Sequence, residues 1–229
     1  MDNNPKDTAH RLSLSLFGGF QAIQNDQPIA FATDRARALL AFLAVEADQP
    51  HRRESLSGLL WPDDEEKSAR QNLSQTLTRV RQAIGDYDRT PPYLEITRPT
   101  IQLGRNAPLT VDVTEFLRLL RQVLDHNHAT LHQCDECIGR LEDAVDLYHG
   151  PFLDGAHLAD SPLFDEWVLF TQQQAQRQAL ESLDALTNHY ALQGNYPKAQ
   201  EYAAQQLAIE PWRESAHRQL MTALAKSGQ

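Results

Sequence analysis

The sequence predicts two structural classes in one chain, an α+β first half and an all-α second half. Three observations predict this. Residues 11–31 and 93–103 alternate apolar and polar side chains, which is the period of a strand. Between them, residues 34–84 carry apolar side chains at helical spacing. Beyond residue 112 the patterned segments read as helical, and the end of the chain repeats with a period of 34 residues.

The elements follow in order. RLSLSLFGGFQAIQNDQPIAF (11–31) has turn signals at Gly18-Gly19 and Asn25-Asp26, so it predicts two or three short antiparallel strands. Asp34 is the expected N-cap of a helix through RARALLAFLAVEA, buried through Leu39, Leu40, Phe42 and Leu43. QPHR is expected to be a turn. A short helix through ESLSGLLW stops at Pro62, because the residue before a proline is biased out of the helical region. DDEE (63–66) leads the next helix, whose N-terminus favours negative charge. In that helix, KSARQNLSQTLTRVRQAI (67–84), Leu73, Leu77, Val80 and Ile84 form the apolar face, with Ala69 and Thr76 on its edge. Gly85 ends it as a C′ residue. Pro91-Pro92 make a rigid turn. YLEIT (93–97) and TIQL (100–103) around Arg98-Pro99 form a hairpin. This order is a winged helix-turn-helix with an N-terminal antiparallel sheet and a C-terminal wing over residues 93–104; the second and third helices form the helix-turn-helix pair.

Asp112 and Glu115 make a D-x-x-E capping pattern for a helix over about 113–126. Further helices are expected at about 134–149, 162–193, 196–208 and 213–227. Gly194 and Gly228 are 34 residues apart, and so are Leu186 and Leu220, and Tyr190 and Leu224. GNYPKAQEYAAQQLAIEP follows the tetratricopeptide order of Gly, aromatic, small Ala, then Leu before Pro. Ala199 marks a close helix approach, and Pro211 ends the second helix. The second half is therefore an all-α tetratricopeptide-like helical domain. A repeat does not bury its face alone, so a chain ending at Gly228-Gln229 is expected to be truncated at its C-terminus. Domains are placed at 11–105 and 112–229. Trp61, Trp167 and Trp212 sit among apolar residues and are expected in the core.

The formal net charge is -10, yet it is unevenly spread. Residues 1–105 hold 13 Lys+Arg against 14 Asp+Glu, a net −1; residues 106–229 hold 8 against 17, a net −9. The first half can meet a polyanion through a local basic face. The acidic second half suits protein partners. The 67–84 helix has no acidic residue at all. By helical position, Gln71, Gln75, Thr78 and Arg79 point away from its core face, with Ser68 and Asn72 beside them. Amides pair with adenine edges, Arg with guanine, and hydroxyls with phosphate or base edges. These six are the expected base-edge contacts in the major groove of double-stranded DNA. Arg52 and Arg53 before the second helix, and Lys67, Arg70 and Arg81 on the flanks, suit phosphate. Arg98 at the wing tip suits the backbone or the minor groove. The competing reading is a solvated helix in a protein-interaction scaffold, whose working part is the acidic repeats.

No catalytic signature is present. G-x-x-x-x-G-K-[ST], H-E-x-x-H and G-x-S-x-G are all absent, so no enzyme activity and no cofactor are expected. No apolar run reaches bilayer length, and the N-terminus does not read as a secretory signal, so a cytoplasmic location without membrane contact is expected. HNHATLHQCDEC (126–137) places Cys134 and Cys137 two residues apart near His126, His128 and His132, donor types that zinc accepts. A lone C-x-x-C is a weak signal, and helix periodicity alone brings such cysteines within one turn. The expectation is reduced thiols at a helix start and no metal.

Taken together, LFGGFQAIQNDQPIAF, RARALLAFLA, LLWPD and ARQNLSQTLTRVRQAIGD resemble the DNA-binding domain of the SARP-type (antibiotic regulatory protein) activators, of the OmpR/PhoB winged-helix class. VDVTEF, LYHGPFLDG, FDEWV and the Gly194–Gly228 stretch with EPWRESAHRQLMTALAKSG resemble the bacterial transcriptional activator domain. The resemblance spans residues 11–229. It implies an activator that binds promoter DNA, often at direct repeats with self-association there, and recruits RNA polymerase. It also implies that further C-terminal regulatory parts occur in relatives. The 67–84 helix reads NLSQTL where many relatives carry Arg in the middle, so base preference does not carry over.

Overall fold

A computed structural model describes residues 11–104, 106–127 and 130–228. The chain divides into two compact units, Met1–Thr114 with Phe152–Phe170, and Glu115–Pro151 with Thr171–Gln229. Phe152–Phe170, which lies within the second domain read from the sequence, thus groups with the first unit.

In the first unit, β1 (Leu12–Ser15), β2 (Gln21–Gln24) and β3 (Gln27–Pro28) form an antiparallel meander. Asn25 and Asp26, both at positive φ, make the two-residue hairpin turn between β2 and β3. The helices α1 (Asp34–Val45), α2 (Arg53–Leu60) and α3 (Glu66–Ala83) follow, separated by the two-residue strand β4 (His51–Arg52). The wing is β5 (Leu94–Ile96) and β6 (Thr100–Leu103), antiparallel, with β4 on the other side of β6. A last strand, β7 (Leu109–Val111), pairs parallel to β1. The fold is a winged helix-turn-helix with an N-terminal sheet, as the residue pattern predicts.

Three details differ from the sequence reading. Thr33, not Asp34, caps α1, and its hydroxyl accepts the Ala36 N–H at 3.2 Å. Asp34 instead occupies the first turn, where it pairs with Arg37. The QPHR turn ends as β4, because His51 and Arg52 find backbone partners on the wing at Ile101 and Thr100. Strand β7 carried too short a pattern to be read, and only its long-range partner β1 makes it a strand. Asp112 has a tertiary role beyond helix capping. Its carboxylate accepts the Leu16 and Phe17 N–H groups at the end of β1, at 2.8 and 2.9 Å.

The core of this unit gathers around α3. Leu73, Leu77, Val80 and Ile84 are buried, together with Leu39, Leu40 and Leu43 of α1, Leu56 and Leu60 of α2, and Ile101 of the wing. Each such side chain contributes about 1.5–3 kcal/mol by leaving water. A second cluster surrounds Trp167. Its ring meets Phe42, Phe152 and Phe164 at 5.0, 5.3 and 5.5 Å, and its Nε1 donates to Glu46 at 2.9 Å. These aromatic contacts explain why Phe152–Phe170 groups with the first unit.

The second unit is helical, built from α4 (Asp112–Asp125) from Glu115 onward, α5 (Asp135–Leu147), α6 (Pro162–Leu192) from Thr171 onward, α7 (Tyr196–Ile209) and α8 (Glu214–Lys226). A short 3₁₀ turn, Leu131–Gln133, precedes α5. Ala199, Ala203, Ala216 and Ala223 are buried, and their small side chains let neighbouring helices approach closely. Gly194 and Gly228 both take the left-handed conformation, φ +73° and +79°, one repeat apart. Trp212 does not join the core. It is 78% exposed, because it falls in the turn after Pro211 and before α8, where no helix face carries it inward.

Candidate nucleic-acid interface

α3 is an 18-residue helix, about 27 Å long at 1.5 Å per residue. It begins at Glu66, and Gly85 follows its C-cap in the left-handed conformation that lets the chain reverse. The buried stripe described above sets its rotation. That rotation leaves Lys67, Ser68, Gln71, Gln75, Thr78 and Arg79 exposed, with no carboxylate among them.

These polar groups differ in their attachments. The side chains of Lys67, Ser68, Gln71, Gln75 and Arg79 have no hydrogen-bond or ion-pair partner among the described residues, and neither do those of Arg52 and the exposed Arg98 of the wing turn. Thr78 bonds back to the Ser74 carbonyl at 3.0 Å. Asn72 is half-buried and donates to Asp64 at 2.8 Å. Arg70 bridges Glu54 at 2.8 Å and Glu66 at 2.6 Å, so its charge is balanced locally. Arg53 donates to the Thr97 carbonyl at 3.3 Å, and its N–H to that of Pro99, which ties α2 to the wing.

Arg81 is the most committed of the set. Its Nε lies 3.3 Å from the buried Asp86 carboxylate, and its guanidinium stacks 4.0 Å from the Tyr87 ring centre. Asp86 also accepts the Tyr93 N–H, so this pair fixes the chain between α3 and the wing. Nothing in the local spacing of Arg81 distinguishes it from Arg79; the signal was Asp86 directly after the helix-ending Gly85. Asn72, Gln75, Thr76 and Arg79 also line an open groove of ≈ 660 Å³, which Arg35, Trp61, His157 and Asp160 border as well.

The second unit uses its polar groups differently. Glu142 accepts Tyr190 OH at 2.6 Å, Tyr202 OH at 2.9 Å and Lys198 Nζ at 3.0 Å. Burial opposes its charge, but these three hydrogen bonds together hold its carboxyl below the ordinary value. Burial and the bond to Glu142 push both tyrosines up, and the bonds to Tyr190 and Glu142 push Lys198 up. The buried Gln206 donates to Thr187 at 3.0 Å and to Gln219 at 3.1 Å, and Gln219 donates to Asp184 and Asn188, both at 2.9 Å. The partners of Glu142 lie 48 to 60 residues away along the chain, so no local spacing reveals this cluster.

The same unit brings His126, Cys134 and Cys137 together, with all donor atoms within 4.8 Å of one another. Burial, then the neighbouring Cys134, pushes the Cys137 thiol up to about 11. His132 is not in this group, although its carbonyl accepts from His189 at 2.9 Å. His128 lies outside the described residues.

Residues 111–229 match the model of the bacterial transcriptional activator domain. The chain belongs to that family. A structure of Mycobacterium tuberculosis EmbR in complex with a low affinity phosphopeptide has the same fold, with a TM-score of 0.70 at 20% identity. The alignment covers 95% of this chain and 55% of that one, so the chain spans about half the length of that protein. A search of curated protein sequences found no match. The resemblance to SARP-type activators therefore holds through the family match of the second half and through the fold of nearly the whole chain. The matched family is described as a domain of bacterial transcriptional activators. Among the described residues no helix is long and apolar enough to cross a membrane.

Proposed function

We propose that this chain is a sequence-specific DNA-binding transcriptional activator of the cytoplasm, with α3 in the major groove and the wing against backbone or minor groove. One observation carries this reading. The outer face of α3 offers Lys67, Ser68, Gln71, Gln75 and Arg79 with no internal partner and no acid among them. Gln71, Gln75 and Arg79 read base edges, with Ser68, Asn72 and Thr78 beside them. Lys67, Arg52 and Arg98 take phosphates, whereas Arg53, Arg70 and Arg81 are engaged within the fold and would have to exchange those partners to join them. The helical domain meets protein partners, RNA polymerase and a second copy on repeated sites among them. No step in this reading needs a cofactor or enzymatic chemistry.

The test is selection of genomic DNA by the full chain at two salt concentrations, followed by sequencing. Enrichment of a repeated motif with steep salt dependence is the expected result. Arg79→Ala should then weaken the enriched site by about 1–3 kcal/mol and relax one position of the motif. A loss uniform across all sequences reassigns Arg79 to phosphate. No enrichment at either salt overturns the reading in favour of a protein-interaction scaffold.

A further inference from the structure

The end of α4 and the start of α5 carry a donor set that α3 and the helical repeats do not use. His126 directly follows α4, Cys134 caps α5, and Cys137 lies in the first turn of α5. His126 Nδ1 is 3.0 Å from Cys137 Sγ and 3.3 Å from Cys134 Sγ. The two sulfurs are within 4.8 Å of each other and are not joined. We propose that His126, Cys134 and Cys137 form a binding site for a thiophilic divalent cation of the zinc type.

Four features support this site. The donors are two sulfurs and one imidazole, the borderline-soft set that zinc accepts in a tetrahedral shell. Zn–S near 2.3 Å and Zn–N near 2.0–2.1 Å put the donor-to-donor edge at about 3.5 Å. The observed 3.0 and 3.3 Å fall short of that by only a few tenths, so a small outward movement admits the ion. The far nitrogen of His126 faces Glu136, at 3.6 Å, and Glu136 is itself paired with Arg140. A carboxylate behind the imidazole is the usual outer partner of a metal-bound histidine, since it orients the ring. Finally, Cys134 caps α5 and Cys137 lies one turn on, so a single helix start holds both sulfurs in place.

Three protein donors leave the fourth tetrahedral position to solvent. The bound ion would link the end of α4 to the start of α5. Two cysteines alone would serve a disulfide equally well; the imidazole directed at both sulfurs is what favours a cation.

The experiment uses the full chain made without a polyhistidine tag and purified under reductant. Metal content is measured by mass spectrometry, and the stripped protein is titrated with Co(II). The expected result is one ion per chain, an intense thiolate-to-cobalt charge-transfer band and the visible bands of tetrahedral cobalt, all displaced by Zn(II). Cys134→Ser and His126→Gln, both at half-buried positions, should each weaken Co(II) binding at least ~10-fold, the lower bound for disturbing even an outer partner. His132→Gln should leave it unchanged. Circular dichroism confirms that each variant is folded. Folded, reduced protein that gives no thiolate–cobalt band overturns the proposal, as does equal binding by the Cys134 and His126 variants. Isolation as a Cys134–Cys137 disulfide whose reduced form binds no Co(II) would make the pair a redox couple instead.

Discussion

The outer face of α3 and the cluster around Glu142 are both rich in polar side chains, and they treat them in opposite ways. On α3, the side chains of Lys67, Ser68, Gln71, Gln75 and Arg79 bond to nothing among the described residues. Around Glu142, one carboxylate oxygen gathers two phenols and an ammonium group. A polar group satisfied internally is part of the fold, whereas one left in solvent on a rigid helix keeps its hydrogen bonds for a partner. Composition alone does not separate the two cases. The partner list does.

The comparison can be broken most strongly at the buried side of α3. Leu73 is fully buried, so Leu73→Ala should cost about 2–5 kcal/mol of stability in chemical denaturation. A loss below 1 kcal/mol would mean that α3 is not the element around which the first unit packs. Next in size is Glu142→Gln, expected to cost about 1–3 kcal/mol because it weakens charge-assisted bonds to Tyr190, Tyr202 and Lys198. The lowered carboxyl sets the sign of its pH dependence. Its stabilisation is fully present above the ordinary carboxylate value of about 4.3 and is lost as pH falls through the folded value. The stability gap between wild type and Glu142→Gln should therefore close in acid; a gap independent of pH would show that the charge contributes nothing. The smallest effect sharpens the comparison within α3 itself. Arg81→Ala should cost about 1–3 kcal/mol by stranding the buried Asp86, while Arg79→Ala should change stability by less than about 0.5 kcal/mol. Equal losses would place Arg79 in the fold rather than at its surface.

Much of the first unit was legible because its signals are local. Leu73, Leu77, Val80 and Ile84 fix the rotation of α3 through helical period alone, and that rotation determines which side chains face outward. Gly85 and the Asn25-Asp26 turn were equally readable, since few residues tolerate their positive φ. What escaped was non-local. β4 and β7 exist only through pairing with β6 and β1, and two or three residues carry no usable period. Trp212 looked like core by type, yet the turn after Pro211 leaves it in solvent. Among the candidate contacts, the sequence could rank outward direction but could not tell a free arginine from one engaged by Asp86 or by Glu54 and Glu66.

By itself, then, the sequence determined the order of the helices and of the longer strands, the winged-helix class and the 34-residue helical period, because each follows from spacing along the chain, while the family followed from the resemblance of several motifs taken together. Tertiary structure alone decided which polar groups are spent within the fold, which cysteines and histidine converge, and that Phe152–Phe170 packs with the first unit. The physical reason is distance along the chain. Hydrogen bonds, ion pairs and donor clusters form between side chains that folding brings within a few ångströms, and no local period records that approach.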